Sequence, residues 1–143
     1  MSAKKNILDN RMLEAEFFED VMLTGIVCPY EPYRFAWAVA SHLPYPFEND
    51  PMQTICVQDE PFAVYTWVDE CRLIEHFLIA NRHKTSFLLP EIRHIDFLWM
   101  CKGNIRFQPD LDALPGRLRD IPGVVTTFPI DPDLLPNREH LIL

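Results

Sequence analysis

The pattern of apolar and polar positions predicts a chain built largely from short β-strands. In residues 13–17, leucine, alanine and phenylalanine alternate with two glutamates, which predicts a strand with one solvated face. Apolar runs bounded by turn residues predict further strands. These lie at residues 21–28, 54–57, 62–68, 94–100, 124–128 and 140–143. A polar turn at 58–61 separates two of them.

Within the predicted strand 94–100, alternate side chains divide between two faces. One face holds Ile95, Phe97 and Trp99, and the other holds Asp96, Leu98 and Met100. A carboxylate on an apolar strand face needs a partner such as arginine if it is buried. We therefore expect Asp96 to be held by a basic side chain.

Two segments carry apolar residues at helical spacing. The first begins at Pro32, which suits the first turn of a helix, and its stripe is Phe35, Ala36, Val39, Ala40 and Leu43. The second stripe is Leu111, Leu114, Leu118 and Ile121. Because Pro115 and Gly116 interrupt the second stripe, that helix is expected to begin near Ala113 or to kink.

Residues 69–81 fit two structures. Asp69 is a suitable helix cap, and Leu73, Ile74, Phe77 and Leu78 would then share one helical face. Alternatively, Asp69 and Glu70 form a hairpin turn that leads into a strand. Periodicity alone slightly favours the helix.

The composition indicates one folded domain spanning residues 1–143, with residues 1–11 as a flexible or extended arm. Of the 143 residues, 48% are hydrophobic and 24% are charged, as in globular proteins with a buried core. No stretch is apolar over the ~18 residues that a membrane span requires. The four glycines match no glycine-rich phosphate loop, so the commonest nucleotide-binding motifs are absent.

The charge argues against nucleic acid as a partner. The formal net charge is -8, and such a chain gains nothing from counterion release on a polyanion. The charge is unevenly distributed, because residues 82–106 carry five basic and two acidic side chains. A candidate anion site therefore lies in this locally basic segment.

The four cysteines predict neither a zinc site nor disulfides. They lie at positions 28, 56, 71 and 101, they form no CxxC pair, and each sits in an apolar run. The amino-terminal residues lack the apolar segment of a signal peptide. We expect four reduced, mostly buried thiols in a cytoplasmic protein.

No recognisable catalytic or metal-binding spacing is present. The five histidines form no HxH, HxxxH or HExxH pattern, and no serine lies in a GxSxG turn. The sequence therefore indicates no catalytic residue, no metal site and no cofactor.

The segment LPE at residues 89–91, followed after three positions by IDF at 95–97, resembles the signature of the IPExxxVDY family. These are small proteins of unassigned activity, described mainly from Bacteroidetes-type bacteria. The segments GIVCPYEPYRFAWAV, FLIANR and TTFPIDPDLLPNREHLIL are also similar to that family, so the resemblance covers most of the chain from about Leu13. It implies a strand at 72–80 paired with 62–68, because the family carries polar, β-prone residues there.

The signature and the basic segment together supply a candidate ligand site. Its residues are Arg82, His83, Lys84, Glu91, Arg93, His94 and Asp96. The basic side chains would clamp an anion or carboxylate, and the two carboxylates would act as an acid–base pair or chelate a cation. In the alternative, structural interpretation, Arg82 or Arg93 merely balances Asp96 or Glu91 in a solvated turn.

A second candidate surface is aromatic. Tyr33, Trp37, Tyr45 and Phe47 crowd the first helix and the loop after it. They form either a protein-binding patch or a lid over the core. Helix spacing predicts that Trp37 is the one that is partly exposed.

Together these patterns predict an α+β fold, in which a largely antiparallel sheet of five to seven strands carries two helices packed on one face. The expected function is that of a non-catalytic cytoplasmic protein-interaction or structural protein. It would bind a protein partner or a second copy of itself, and neither nucleic acid nor membrane. The alternative is a binder of a small anionic ligand, or an enzyme, that uses the cluster around LPExxxIDF.

Overall fold

Antiparallel strands form the centre of the structure, a computed structural model that describes residues 11–143. In chain order the strands are β1 (Val21–Val27), β2 (Glu48–Asn49), β3 (Ile55–Val57), β4 (Glu60–Phe62), β5 (Val64–Asp69), β6 (Ile74–Ala80), β7 (Arg82–His83), β8 (Ser86–Phe87), β9 (Phe97–Gly103) and β10 (Thr126–Ile130). Six of them form one sheet in the order β10-β1-β9-β6-β5-β2. The other four pair as two small hairpins, β3 with β4 and β7 with β8. The predicted α+β fold with a largely antiparallel sheet is confirmed.

Two helices cover one face of the sheet, as predicted. They are α2 (Pro32–His42) and α3 (Pro109–Arg119), and helix α1 occupies residues 11–18 of the described chain. Phe35 of α2 stacks on Phe97 of β9 with ring centroids 4.6 Å apart. No helix among residues 11–143 combines the length and apolar character that crossing a bilayer would need.

The opposite face of the sheet is also buried, which the sequence patterns did not predict. Its core is covered by side chains from α1, the β3–β4 hairpin, the loop before β9 and the carboxyl-terminal turns. These side chains are Phe18, Phe62, Leu88, Leu89, Leu135 and Leu141. The central strands are therefore apolar on both faces, as in Phe97–Cys101, where every residue is buried.

Residues 74–80 form a strand, so the helical alternative for 69–81 is wrong. Strand β6 pairs with β5 on one side and with β9 on the other, with Phe77 opposite Thr66 and Met100. A helix could bury only one stripe of this segment, whereas the sheet buries five consecutive residues, 76–80. Tertiary burial thus overrides the local periodicity.

Three predicted strands differ from the structure. Residues 13–17 belong to α1, because the buried Phe18 and the bond from Lys102 Nζ to the Phe17 carbonyl oxygen (2.7 Å) hold a helix against the sheet. The predicted strand 62–68 is divided between β4 and β5, since the β3–β4 hairpin ends at Phe62. Residues 138–141 form a 3-10 turn rather than a strand.

Two further details are corrected. Helix α3 begins at Pro109 and passes through Pro115, because burial of Leu111 and Leu114 outweighs the hydrogen bond that Pro115 cannot donate. Strand β9 begins at Phe97, so the two residues before it do not follow the strand alternation. Ile95 packs on the same face as Leu98 rather than with Phe97.

Candidate functional site

The structure divides the predicted ligand cluster into two groups. Arg82, His83, Lys84 and Asp96 line one cleft of about 190 Å³, which we call the hairpin cleft. It lies between the β7–β8 hairpin, the start of β9 and the start of α2. Glu91, Arg93 and His94 line no part of it. The seven residues therefore do not form one site.

Asp96 joins three segments at the inner end of the hairpin cleft. Its Oδ2 accepts a hydrogen bond from the Cys28 backbone N–H at 2.8 Å, and its Oδ1 lies 3.1 Å from Arg82 Nε. The expectation of a basic partner for Asp96 is confirmed. Because both carboxylate oxygens are engaged, Asp96 ties the end of β1 to the start of β9 and is poorly placed to act as a free base.

The β7–β8 hairpin places two further basic side chains at the cleft. His83 Nε2 lies 3.5 Å from Glu60 Oε2. Lys84 opens a two-residue turn between His83 and Ser86, where its φ is +55°. Glycine is the residue that such a turn position usually carries, so the hairpin holds a lysine in a conformation that costs energy.

Glu91, Arg93 and His94 lie on the surface near the carboxyl terminus. Glu91 Oε2 accepts a hydrogen bond from Asn137 Nδ2 at 2.8 Å. The Arg93 guanidinium lies 5.6 Å from the Phe87 ring centroid, and the His94 ring lies 6.1 Å from that of Phe128. Glu91 and His94 border an open, mainly apolar groove, whereas Arg93 does not. No carboxylate–arginine pair forms there among residues 11–143.

Asn81 bonds to the segment that links the hairpin-cleft residues to Glu91, Arg93 and His94. The sequence patterns did not identify this residue. Its Nδ2 donates to the carbonyl oxygens of Ile92 (3.1 Å) and Ile95 (2.8 Å), and its Oδ1 accepts from the Leu89 N–H at 2.8 Å. The side chain is fully buried. The sequence does contain a signal for this role, a single asparagine directly after the apolar run FLIA. A buried amide at such a position must form hydrogen bonds.

The four predicted aromatic surface residues fall into two classes. Tyr33 and Trp37 are 70% and 69% exposed, one turn apart on α2. Tyr45 and Phe47 are 2% and 9% exposed, and each packs edge-on against Trp99. Tyr45 and Phe47 are therefore core residues, because the proline-rich loop folds back over the sheet, and only Tyr33 and Trp37 remain available to a partner.

A histidine and a cysteine face each other inside the core. Cys101 Sγ lies 3.5 Å from His76 Nδ1, and both side chains are buried. Burial lowers the pKa of His76 to about 4 and raises the pKa of Cys101 to about 12. Both groups are neutral near pH 7, so the pair lacks the thiolate that nucleophilic catalysis by cysteine requires.

The cysteines are free, and their burial differs from the sequence expectation. Cys28 and Cys101 are buried, but Cys56 and Cys71 are exposed. The expectation of mostly buried thiols is thus right for half of them. Within the described residues, no group of three or more potential ligand side chains is placed to hold a metal ion.

Arg72 connects the β5–β6 turn to the start of α3. Its Nε donates to Asp69 Oδ2 at 2.7 Å, and its two Nη groups donate to Asp110 at 2.7 and 2.9 Å. A further bond of 3.0 Å reaches Gln108 Oε1. The bonds to Asp110 and Asp69 raise the pKa of Arg72, and the same bonds lower the pKa of both carboxyls. Arg72 therefore clamps two loops together.

Each clamped loop presents one large apolar side chain to solvent. Leu73 is 74% exposed with φ +60°, and Phe107 is 96% exposed with φ +58°. We call this pair the apolar tip. Left-handed backbone is unusual for a residue other than glycine, asparagine or aspartate. Neither residue is a turn former, so sequence reasoning had no signal by which to find the tip.

The tip and the hairpin cleft lie at opposite ends of β6. Leu73 precedes the first residue of β6, and Arg82 follows Ala80 and Asn81 at its other end. Seven residues of extended chain separate the two ends by about 20 Å.

Comparisons with known proteins add no relative. No protein-family model, no curated protein and no solved structure matches this chain.

Proposed function

We propose that this chain is a non-catalytic protein-interaction protein that docks a partner through the apolar tip, Leu73 and Phe107. The observation that carries the proposal is that both side chains are exposed on strained backbone. Each left-handed residue costs on the order of 1–2 kcal/mol. Neither side chain is buried within the chain, so no intramolecular contact offsets this conformational free energy. Burial against a partner would offset it and accounts for the presence of the two residues.

The Arg72 clamp supports this function by ordering the tip before binding. Leu73 follows Arg72 directly, and Phe107 precedes Gln108, which Arg72 contacts at 3.0 Å. The Leu73 carbonyl oxygen also accepts a hydrogen bond from the Asn104 N–H at 3.2 Å. A preorganised apolar anchor binds more tightly than a mobile one, because less conformational entropy is lost on association.

The surroundings of the tip indicate the chemistry of the partner. Both side chains of the tip are exposed, so the partner must supply an apolar pocket that covers them. Beside Phe107 lies a second cleft of about 380 Å³ of mixed charge, since both carboxylates (Glu16, Glu19, Asp20) and cations (Lys102, Arg106) line it. We therefore propose a different protein with an apolar pocket. A second copy of this chain is a poor match, since both copies carry a net charge of -8.

The contacts of the titratable groups support a non-catalytic role over an enzymatic one. Near pH 7 the His76–Cys101 pair is neutral and buried. Asp96 is engaged by Cys28 and Arg82, and Glu91 by Asn137. A general base must be free to reach the proton it removes, and these groups are held in structural contacts.

We further propose that the chain is a bacterial cytoplasmic protein of the IPExxxVDY family. The LPExxxIDF segment supports the family assignment, and the four free cysteines support a reducing compartment. Leu89, Ile95 and Phe97 of the signature are buried. These three of the six signature residues therefore serve the packing at the start of β9.

Site-specific photocrosslinking would test the tip. A benzophenone amino acid at position 107 of the full chain, expressed in its host, is expected to crosslink one defined partner protein. Leu73→Gly should abolish the crosslink without loss of stability, because glycine accepts the positive φ. The matched control is the double variant Tyr33→Ser, Trp37→Ser, which removes exposed aromatics elsewhere and should leave the crosslink intact.

Three results would contradict the proposal. They are the absence of a crosslinked protein, a crosslink that persists in Leu73→Gly, and a crosslink to a second copy of this chain. Light scattering of the purified protein identifies the third case independently, because a self-associating chain would be dimeric or larger in the absence of other proteins.

A further inference from the structure

The hairpin cleft lies where two elements that carry hydrogen-bond donors meet. Arg82 and Lys84 belong to the β7–β8 hairpin, and Pro32 begins helix α2. The hairpin and α2 are distant in sequence and meet only in the fold. The cleft lies at the end of the sheet opposite the apolar tip, so any ligand there is independent of the proposed partner.

Arg82 supplies a partly unused guanidinium. Its Nε lies 3.1 Å from Asp96 Oδ1, and among residues 11–143 no acceptor is bonded to either Nη group. The contact with Asp96 fixes the orientation of the guanidinium. The four N–H donors of its two Nη groups remain available to a ligand. A guanidinium held in this way suits bidentate recognition of an oxyanion.

Lys84 supplies a second positive charge, and its backbone gives an independent indication of function. The residue has φ +55° at the start of a two-residue turn, where glycine would be unstrained. Its ammonium group makes no ion pair within the described part of the chain, as the ion pair of this hairpin belongs to His83 and Glu60. The strained backbone thus presents an unpaired lysine at the cleft.

The amino terminus of α2 borders the cleft at Glu31 and Pro32. Pro32 has no N–H, and Phe35 makes the first intrahelical bond, to the Glu31 carbonyl oxygen at 3.0 Å. The Glu31 side chain makes no capping hydrogen bond. The N–H groups of Tyr33 and Arg34 therefore lack an acceptor among residues 11–143, and the helix dipole places partial positive charge at this end.

The size and charge of the cleft define the ligand. The cleft, of about 190 Å³, is open to solvent and has room for a small ion or ester. Asp96 is compensated by Arg82 and the Cys28 N–H, so Glu31 is the one lining carboxylate without a partner in the described chain. Arginine, lysine and a helix amino terminus together match the several oxygens of a tetrahedral oxyanion better than a planar carboxylate.

We propose that the hairpin cleft binds a small phosphate-bearing anion, either inorganic phosphate or a small phosphomonoester, through Arg82, Lys84 and the first-turn amides of α2. His83 has no part in this contact because it pairs with Glu60. Glu31 opposes the anion and limits the affinity. The site is distinct from the tip and does not depend on the proposed protein partner.

Titration of the full chain with inorganic phosphate and with glycerol phosphate, at constant ionic strength, tests this site. Nuclear magnetic resonance should show saturable shifts of the Tyr33 and Arg34 amides at concentrations up to about 10 mM. Calorimetry of the same two titrations gives one affinity for the free ion and one for the ester, and so shows which of them the cleft prefers. Acetate at the same concentrations should bind at least tenfold more weakly, because it lacks the additional oxygens.

Three variants separate binding from folding. Lys84→Gly should weaken phosphate binding about tenfold while keeping or raising stability, since glycine accepts the positive φ. Glu31→Gln should strengthen binding, because it removes the opposing charge. Arg93→Ala is the matched control: it removes an exposed basic side chain outside the cleft and should leave binding unchanged.

Several results would overturn the proposal. They are the absence of saturable binding, unperturbed Tyr33 and Arg34 amides, equal affinity in Lys84→Gly, or equal affinity for acetate. A loss of binding in Arg93→Ala as large as that in Lys84→Gly would also overturn it, because it would show attraction to overall charge rather than to the cleft.

Discussion

Trp99 Nε1 donates a hydrogen bond to His76 Nδ1 over 3.1 Å, and this bond determines the tautomer of the buried imidazole. Because indole nitrogen can only donate, Nδ1 of His76 must accept and the proton of the neutral ring lies on Nε2. Nε2 has no hydrogen-bond partner within the described chain. The His76 ring lies among aromatic side chains. The ring centroids of Tyr45 and Trp67 are 5.0 and 5.2 Å from the His76 ring centroid.

We expect this histidine to make the fold sensitive to mild acid. Burial lowers the pKa of His76 to about 4 in the folded chain, against about 6.5 when unfolded. The unfolded chain therefore binds more protons between these values, so stability is lost as pH falls from about 6.5 to 4. The loss attributable to His76 is roughly 3 kcal/mol. Urea unfolding at a series of pH values measures it.

The matched variant for this prediction is His76→Gln. Its amide oxygen can still accept from Trp99 Nε1, but it does not titrate. The pH dependence of unfolding between 6.5 and 4 should be shallower in the variant than in the parent chain. Equal slopes in the two proteins would show that other groups cause the acid sensitivity.

Replacing Arg72 should loosen both loops of the apolar tip. Arg72→Met keeps most of the side-chain length but loses the bonds to Asp69, Gln108 and Asp110. We expect the free energy of unfolding to fall by about 2 kcal/mol, and amide exchange at Leu73 and Phe107 to accelerate. Arg72→Lys should recover little of the loss, because one ammonium cannot reproduce the fork geometry. If Arg72→Lys kept the full stability of the parent chain, the positive charge alone, and not the fork geometry, would explain the contribution of Arg72.

Asn81 should be among the least replaceable residues of the chain. Asn81→Leu has a similar volume but leaves the Leu89 N–H and the Ile92 and Ile95 carbonyl oxygens without their present partners. We expect a loss of about 3 kcal/mol or more, measured by denaturant unfolding. Asn137→Leu, which alters an exposed asparagine, should change stability by only about 0.5 kcal/mol. Similar losses in both variants would refute the role of the Asn81 hydrogen bonds.

Asp96→Asn tests the link between β1 and β9. The variant keeps an oxygen that can accept from the Cys28 N–H, but it loses the ionic contact with Arg82. We expect the free energy of unfolding to fall by about 1–2 kcal/mol, with a lower melting temperature. Asp112→Asn on the exposed face of α3 serves as the control. An Asp96 variant as stable as this control would show that the carboxylate charge contributes nothing to the fold.

Local patterns in the sequence predicted most of the sheet. Alternation and apolar runs located β1, β9 and β10 to within a few residues, and the stripe from Phe35 to Leu43 located α2. These elements were predictable because the buried residues of each one repeat along the sequence with the period of a strand or of a helix. The pattern failed at 13–17, where five alternating residues are too few to distinguish a strand from a helix.

The candidate site was less predictable than the fold. Sequence proximity grouped Arg82 and Lys84 with Glu91 and Arg93, but only Arg82 and Lys84 line the hairpin cleft. Asn81 bonds to Leu89, Ile92 and Ile95 and so fixes the course of the loop between β8 and β9. Because of that course, residues only ten apart in sequence lie at different places on the surface.

The sequence by itself determined an acidic α+β chain with a locally basic centre, because composition and periodicity are properties of neighbouring residues. Only the tertiary structure decided which polar groups meet. Asp96 bonds to Cys28 across 68 positions, and Arg72 bonds to Asp110 across 38. Such contacts depend on strand register and on the geometry of turns, which position side chains from distant segments. That placement also produced the apolar tip and the hairpin cleft, since positive φ at Leu73, Phe107 and Lys84 is imposed by the fold and not by the residues themselves.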